Sequence, residues 1–279
     1  MKQTKYSPKR FLISFPFLDM VFCKKVRFCH MPVKAKSKAF TLIELLIIIL
    51  IISLLMAILL PALSSAREKA RRTLCRSHIH QFIIGIHVYS DKSDGKLPSG
   101  LSDRGTDEHT PVISTVTRKL LIDNIGDERI LICPSMREPF TMPGGWYHNE
   151  YGNYGFIIGY NYLGGHSETP WPLVGRANAK WYSPHKVSTS KASIPLVTEL
   201  NAWTTGGNMT FAPHGKTGAI HIADDFSNSG LNGIPSQEIG AVGGNIGLID
   251  GSVTWKPMED MKIYRGSRLH GMRGCFAAW

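Results

Sequence analysis

Charged side chains are scarce in this chain, at 19% of 279 residues. The 32 Lys and Arg residues exceed the 21 Asp and Glu residues by eleven, but most of that excess lies in residues 1–39. That segment holds ten basic side chains and one acidic side chain, Asp19. From Phe40 onward, 22 basic side chains face 20 acidic ones, and a net charge of +2 gives no argument for a nucleic-acid partner.

Recognisable catalytic and nucleotide-binding motifs are lacking as well. Residues 210–217 end in Gly-Lys-Thr but lack the first glycine of a phosphate-binding loop. The polar residues in and after this segment are His214, His221, Asp224 and Asp225. Their spacing is not typical of a zinc site or an acid–base site, and we interpret them as loop and strand-edge residues. The sequence therefore predicts that the protein is not an enzyme.

One long apolar run dominates the N-terminal part of the chain. Residues 45–60 contain a single polar side chain, Ser53. A helix over residues 40–63 would be about 36 Å long, enough to cross a hydrocarbon layer of about 30 Å. The basic segment before it predicts a single-pass orientation with the N-terminus in the cytoplasm and the C-terminal part outside.

A short motif precedes this run. Lys38-Ala39-Phe40-Thr41-Leu42-Ile43-Glu44, followed by the apolar run and Pro61, resembles the cleavage and methylation segment of type IV prepilins and type II secretion pseudopilins. The resemblance implies cleavage between Ala39 and Phe40 by a prepilin peptidase, which then methylates Phe40. Glu44 and Pro61 fall at the fifth and twenty-second mature positions, as in that family. Ala39 departs from the glycine that is usual there.

The resemblance implies a structural subunit of a pilus or pseudopilus, with other pilin or pseudopilin subunits and the inner membrane as its partners. In a filament, Glu44 of one subunit would neutralise the N-terminal ammonium of its neighbour's Phe40. Two alternatives remain open. Glu44 could simply reach the membrane interface, and the protein could be an anchored carbohydrate-binding protein or enzyme exported with a prepilin signal.

A second resemblance extends along the mature chain, to pseudopilin-like proteins of planctomycetes. It rests on segments such as 66–75, 87–98, Cys133-Pro134 and 243–253. That group often ends in a His followed, after nine residues, by Asp-Gly. Asp250-Gly251 is present here, but Gly240 occupies the His position.

The order of apolar segments along the chain predicts an α+β fold of the pilin type. Residues 1–39 form a basic leader, with Met31 as an alternative translation start, and 40–63 form the membrane or filament-core helix. Helical periodicity continues over 64–95 as an amphipathic spine, and short apolar runs over 96–279 predict an antiparallel sheet in an extracytoplasmic domain. The strands include 130–132, and Asp250-Gly251 predicts a two-residue hairpin turn.

Two further sites are predicted for the extracytoplasmic part. Cys75 and Cys133 are the preferred disulfide pair, with free buried thiols as the alternative. The single candidate cofactor is calcium, for which the oxygen-rich segment 224–233 offers Asp224, Asp225 and Asn228. Tryptophans in the loops could form a carbohydrate platform, although loop aromatics usually pack beneath their own loops.

Overall fold

The computed structural model describes residues 40–107, 110–136, 155–167, 169–204, 209–216, 218–223, 233–269 and 273–279. The chain divides into two compact units, residues 1–51 and 52–279. The boundary falls inside the long N-terminal helix, and the second unit contains the strands.

The longest element is helix α1, Leu42–Asp91, with 50 residues. In the described part of the chain, it is the one helix long and apolar enough to cross a membrane. The helix contains Pro61 and continues through it without a break. It ends just before Asp94 and Gly95, whose positive φ angles of 53° and 73° close the C-terminal turn. The long N-terminal helix that was predicted from the sequence is thereby confirmed.

The second unit adds one short α-helix and a set of strands after α1. Helix α2 is Thr115–Ile125, and its N-terminus is capped by the Ser114 side chain, which accepts a hydrogen bond from the Thr117 N–H. The described strands are β1 (Val112–Ile113), β2 (Phe156–Ile157), β3 (Tyr160–Tyr162), β4 (Trp171–Leu173), β5 (Arg176–Trp181), β6 (Pro195–Glu199), β7 (Ala202–Thr204), β8 (Met209–Ala212), β9 (Ile220–Ala223), β10 (Gly243–Leu248), β11 (Val253–Pro257), β12 (Ile263–Leu269) and β13 (Arg273–Ala278).

These strands form antiparallel sheets with the orders β1-β2, β11-β10-β6-β3 and β5-β4-β12-β13-β7-β8-β9. The α+β prediction is therefore confirmed. The strand predicted at 130–132 is wrong, because Glu128–Leu131 forms a 3₁₀ turn. Asp127 caps that turn by accepting a hydrogen bond from the Arg129 N–H at 3.0 Å, and this local bond competes with extended structure.

The hairpin predicted around Asp250-Gly251 is present as β10–β11, but its turn differs from the prediction. Leu248 N–H donates to the Ser252 carbonyl at 2.8 Å, which encloses three residues instead of two. Among those three, Gly251 has a positive φ, 88°, as expected for a three-residue loop that ends in a left-handed glycine. The Asp250 carboxylate accepts hydrogen bonds from the Ser252 N–H and hydroxyl, which tightens the turn.

The second half of α1 packs on β10 at a glycine. The buried face of the helix includes Ile79, Phe82, Ile83 and Ile86. A Cβ atom at Gly247 would lie 2.5 Å from both the Ile79 Cγ2 and the Ile83 Cδ1 atoms. Because Gly247 has no side chain, the helix and the sheet can approach each other closely at this point.

Candidate functional site

The first candidate site is the segment that starts α1, because every residue from 40 to 67 is exposed. Leu42 is 83% exposed and Phe40 is 64% exposed. Burying apolar area yields roughly 25 cal/mol per Å², so a helix of this composition requires lipid or other protein around it. Ala39, the predicted cleavage position, lies outside the described residues.

Glu44 has a local role that was not predicted from the sequence. Its carboxylate accepts hydrogen bonds from the Thr41 N–H at 2.9 Å and from the Thr41 hydroxyl at 2.8 Å. The Glu44 N–H donates in turn to the Thr41 hydroxyl at 3.2 Å. This is a capping box, in which Thr41 is the N-cap and Glu44 occupies the third helical position. The Thr-Leu-Ile-Glu spacing was the signal that could have revealed it.

A second candidate site, the buried polar cluster, lies in the second unit. It consists of Glu68, Arg72, Cys75, Glu199, His214 and Asn245. His214 is fully buried between two carboxylates: its Nδ1 lies 2.6 Å from Glu68 Oε1, and its Nε2 lies 3.0 Å from Glu199 Oε1. Arg72 Nε donates to Glu68 Oε1 at 3.1 Å.

The fold fixes the orientation of the Glu199 carboxylate at the end of β6. Asn245, on the neighbouring strand β10, donates its backbone N–H to Glu199 Oε2 at 2.9 Å and its side-chain amide to Oε1 at 2.7 Å. The same amide donates to the Arg72 carbonyl of α1 at 3.0 Å. The cluster thus connects α1, β6, β10 and the loop that carries His214.

The protonation of the cluster is set by these contacts. Burial lowers the pKa of His214, but hydrogen bonds with Cys75, Glu199 and Glu68 outweigh it and raise the pKa to about 11. Burial raises the pKa of Glu68, and hydrogen bonds from His214 and Arg72 more than offset this, so it lies below its usual value. These contacts therefore favour the protonated form of His214 beside the ionised form of Glu68.

Cys75 lies at the edge of this cluster. Its Sγ atom is 3.5 Å from the Cys133 Sγ atom, and both residues are buried free thiols. The structure therefore brings together the predicted pair, but without the disulfide, whose sulfurs would lie about 2.05 Å apart. The contact with Cys133 and burial raise the pKa of the Cys75 thiol well above its usual range.

The remaining predicted site residues are distributed over the second unit. Asp224, Asp225 and Asn228, the calcium candidates, lie outside the described residues. Asp250 is in the exposed hairpin turn, where hydrogen bonds from Ser252 lower its pKa. His214 lies in a loop after β8, as interpreted from the sequence, but its ring is buried in the core.

The tryptophans described in the 171–203 region do not form a surface platform. Trp171, Trp181 and Trp203 are 3%, 9% and 6% exposed. Trp171 and Trp181 stack on each other with their ring centroids 5.0 Å apart. These aromatic rings therefore belong to the core.

Comparisons with known protein families find matches at the exposed start of α1 and in the segment that follows it. Residues 34–60 match the family described as "Prokaryotic N-terminal methylation motif". Residues 64–117 match the family described as "Protein of unknown function (DUF1559)". No curated protein and no solved structure matches the chain. Over residues 34–117 the chain is therefore similar to prepilin-like proteins, with the methylation motif directly before the second family's segment.

Proposed function

We propose that this protein is a structural subunit of a type IV pilus or of a pseudopilus of the type II secretion kind. A prepilin peptidase cleaves it after Ala39 and methylates Phe40, and residues 40–63 then form the helical core of the filament. The observation that carries the proposal is the exposed apolar surface of residues 40–63, in which Glu44 is the single charged side chain.

Assembly would satisfy two requirements that a single chain leaves unmet. Neighbouring helices would cover the apolar surface, and the Glu44 carboxylate of one subunit would pair with the ammonium of the adjacent Phe40. An unpaired carboxylate within a bilayer costs about 2.5–3.5 kcal/mol at the helix centre, so pairing favours the filament. Before assembly, the capping box gives Glu44 a partner within its own chain.

The buried polar cluster gives no support to a catalytic role, because its groups capable of acid–base or nucleophilic chemistry, Cys75, Glu199 and His214, are 0% or 1% exposed. A substrate would have no access to them in this conformation. The protein would reside in the inner membrane with its C-terminal domain outside the cytoplasm, and then in the filament.

The charge of Glu44 and its capping role can be separated by two variants. Glu44→Gln removes the charge but retains a side chain that can complete a capping box. Thr41→Ala removes the cap, at a cost of about 1 kcal/mol, and retains the charge. We expect Glu44→Gln to abolish or sharply reduce incorporation into sheared filaments, and Thr41→Ala to assemble, with both variants inserted in the membrane.

Normal filament incorporation of Glu44→Gln would contradict the charge-pairing role. Loss of incorporation in both variants, with normal membrane insertion, would show that assembly needs the Thr41 cap as well as the charge of Glu44. Mass spectrometry of the mature N-terminus tests processing separately. A methylated Phe40 is expected, and an intact leader would rule out cleavage after Ala39.

A further inference from the structure

We propose that the buried polar cluster is a zinc site in which Cys75, Glu199 and His214 are ligands and Cys133 supplies the fourth. This site is independent of the proposed assembly role. Three ligand atoms, one from each of the first three residues, all lie within 4.8 Å of one another. A thiolate, an imidazole and a carboxylate are the ligands that Zn²⁺ takes in proteins.

The fourth ligand is indicated by the two sulfurs. Cys75 Sγ and Cys133 Sγ are 3.5 Å apart. In a tetrahedral site with Zn–S bonds of about 2.3 Å, two thiolates are about 3.8 Å apart. The observed separation is therefore near the one that a shared metal ion requires and far from a covalent S–S bond. Cys133 lies outside the group of three ligand atoms that are within 4.8 Å of one another, so its side chain would have to move toward Glu199 and His214 to complete four ligands.

The residues around these ligands are arranged as the outer shell of a metal site. Glu68 Oε1 lies 2.6 Å from His214 Nδ1, so the imidazole donates from Nδ1 to a carboxylate and presents Nε2 to the metal. A carboxylate behind a liganding histidine fixes its tautomer and orientation. Asn245 donates hydrogen bonds to both oxygens of Glu199, which fixes the orientation of that carboxyl group. The four ligands and Glu68 are all buried.

The ligand chemistry is compatible with a dication, because the set combines two cysteines, which bind zinc as thiolates, with the carboxyl group of Glu199 and the imidazole of His214. Because the site is buried, the metal would enter during folding.

The experiment uses the full chain, purified in detergent without chelators from cells grown with added zinc. Metal analysis should give about one zinc per chain. Cys75→Ser and His214→Gln should lower the zinc content at least tenfold, and Glu68→Gln should weaken zinc affinity about 10–100-fold. His166→Gln is the matched control, since His166 is also buried against a carboxylate, with Nδ1 2.9 Å from Asp107 Oδ1, and should retain full zinc content.

A spectroscopic measurement on the wild-type chain tests the site even if the variants fail to fold. Wild-type chain refolded with Co²⁺ in place of zinc should show thiolate-to-metal charge transfer and the strong visible bands of tetrahedral cobalt. Folded wild-type protein with less than a tenth of a zinc per chain and no such spectrum would overturn the proposal. So would a Cys75–Cys133 disulfide found by peptide mass spectrometry, or unchanged zinc content in folded His214→Gln.

Discussion

The packing of α1 on β10 makes Gly247 the most informative position for a stability measurement. An alanine there would place its Cβ atom 2.5 Å from Ile79 Cγ2 and from Ile83 Cδ1. Ordinary contacts of a Cβ atom lie at 3.4–4 Å, so the helix or the strand must move by about 1 Å. Both neighbours are fully buried, which leaves them little room to rotate away.

The size of the effect is set by two opposing contributions. Overpacking of a well-packed core costs about 1–3 kcal/mol, and the loss of backbone freedom in the unfolded chain returns about 0.4–1 kcal/mol. We expect Gly247→Ala to lower the free energy of unfolding by about 1–2 kcal/mol. Urea unfolding of the full chain in detergent, followed by tryptophan fluorescence, measures this as a shift of the midpoint.

A matched control and a double mutant make the measurement specific. Gly266 is also in a strand, but its Cβ would meet Thr110 Cγ2 at 3.3 Å, so Gly266→Ala should change stability by less than about 0.5 kcal/mol. Ile83→Val removes Cδ1 and costs about 0.5–1.5 kcal/mol alone. Combined with Gly247→Ala it should cost about 1 kcal/mol less than the sum. Strict additivity would refute the proposed clash between helix and strand.

Two further predictions concern polar contacts of the second unit. His166→Leu removes hydrogen bonds to Asp107 at 2.9 Å and to the Tyr162 carbonyl at 2.8 Å, and should destabilise the fold by about 2 kcal/mol in the same urea assay. Exposed His185→Leu is the control, and equal effects of the two would contradict this reasoning. Asp250→Ala should cost about 0.5–1 kcal/mol, while Asp250→Asn retains the turn and should be nearly neutral. Because hydrogen bonds from Ser252 lower the pKa of Asp250, its contribution should persist down to about pH 4 and decline below it, as pH-dependent unfolding would reveal.

The features that could be predicted from the sequence are those with a local signal. A 3.6-residue apolar period specifies α1 up to the Asp94-Gly95 turn, and a glycine beside an aspartate specifies the β10–β11 hairpin. The number of turn residues was missed because it depends on the hydrogen bond between Leu248 and Ser252, which composition does not determine. Strand β3, with three residues that are all buried, shows no alternation, so a short apolar run is the signal that predicts it.

The buried polar cluster could not be predicted from one sequence, because its members are distant along the chain. Glu68 and His214 are 146 residues apart, and Arg72 and Asn245 are 173 residues apart. Each residue alone is consistent with a polar loop position, a helix surface or a structural thiol. Only the pairing of β6 with β10 and the docking of α1 on them bring these side chains together.

The position of the cluster on α1 gives the proposed zinc site a mechanical consequence. Glu68 is the first buried residue of the helix, and Arg72 and Cys75 follow it one and two turns later on the same face. In the proposed filament, a load applied to the globular domain would reach the helical core through this part of α1. The hydrogen bonds that the Glu68 carboxylate accepts from His214 and the Arg72 carbonyl accepts from Asn245 tie that part to the His214 loop and to β10. A zinc ion bound by Cys75 on the helix and Glu199 on β6 would add metal–ligand bonds at the point where the helix would otherwise begin to separate from the sheet.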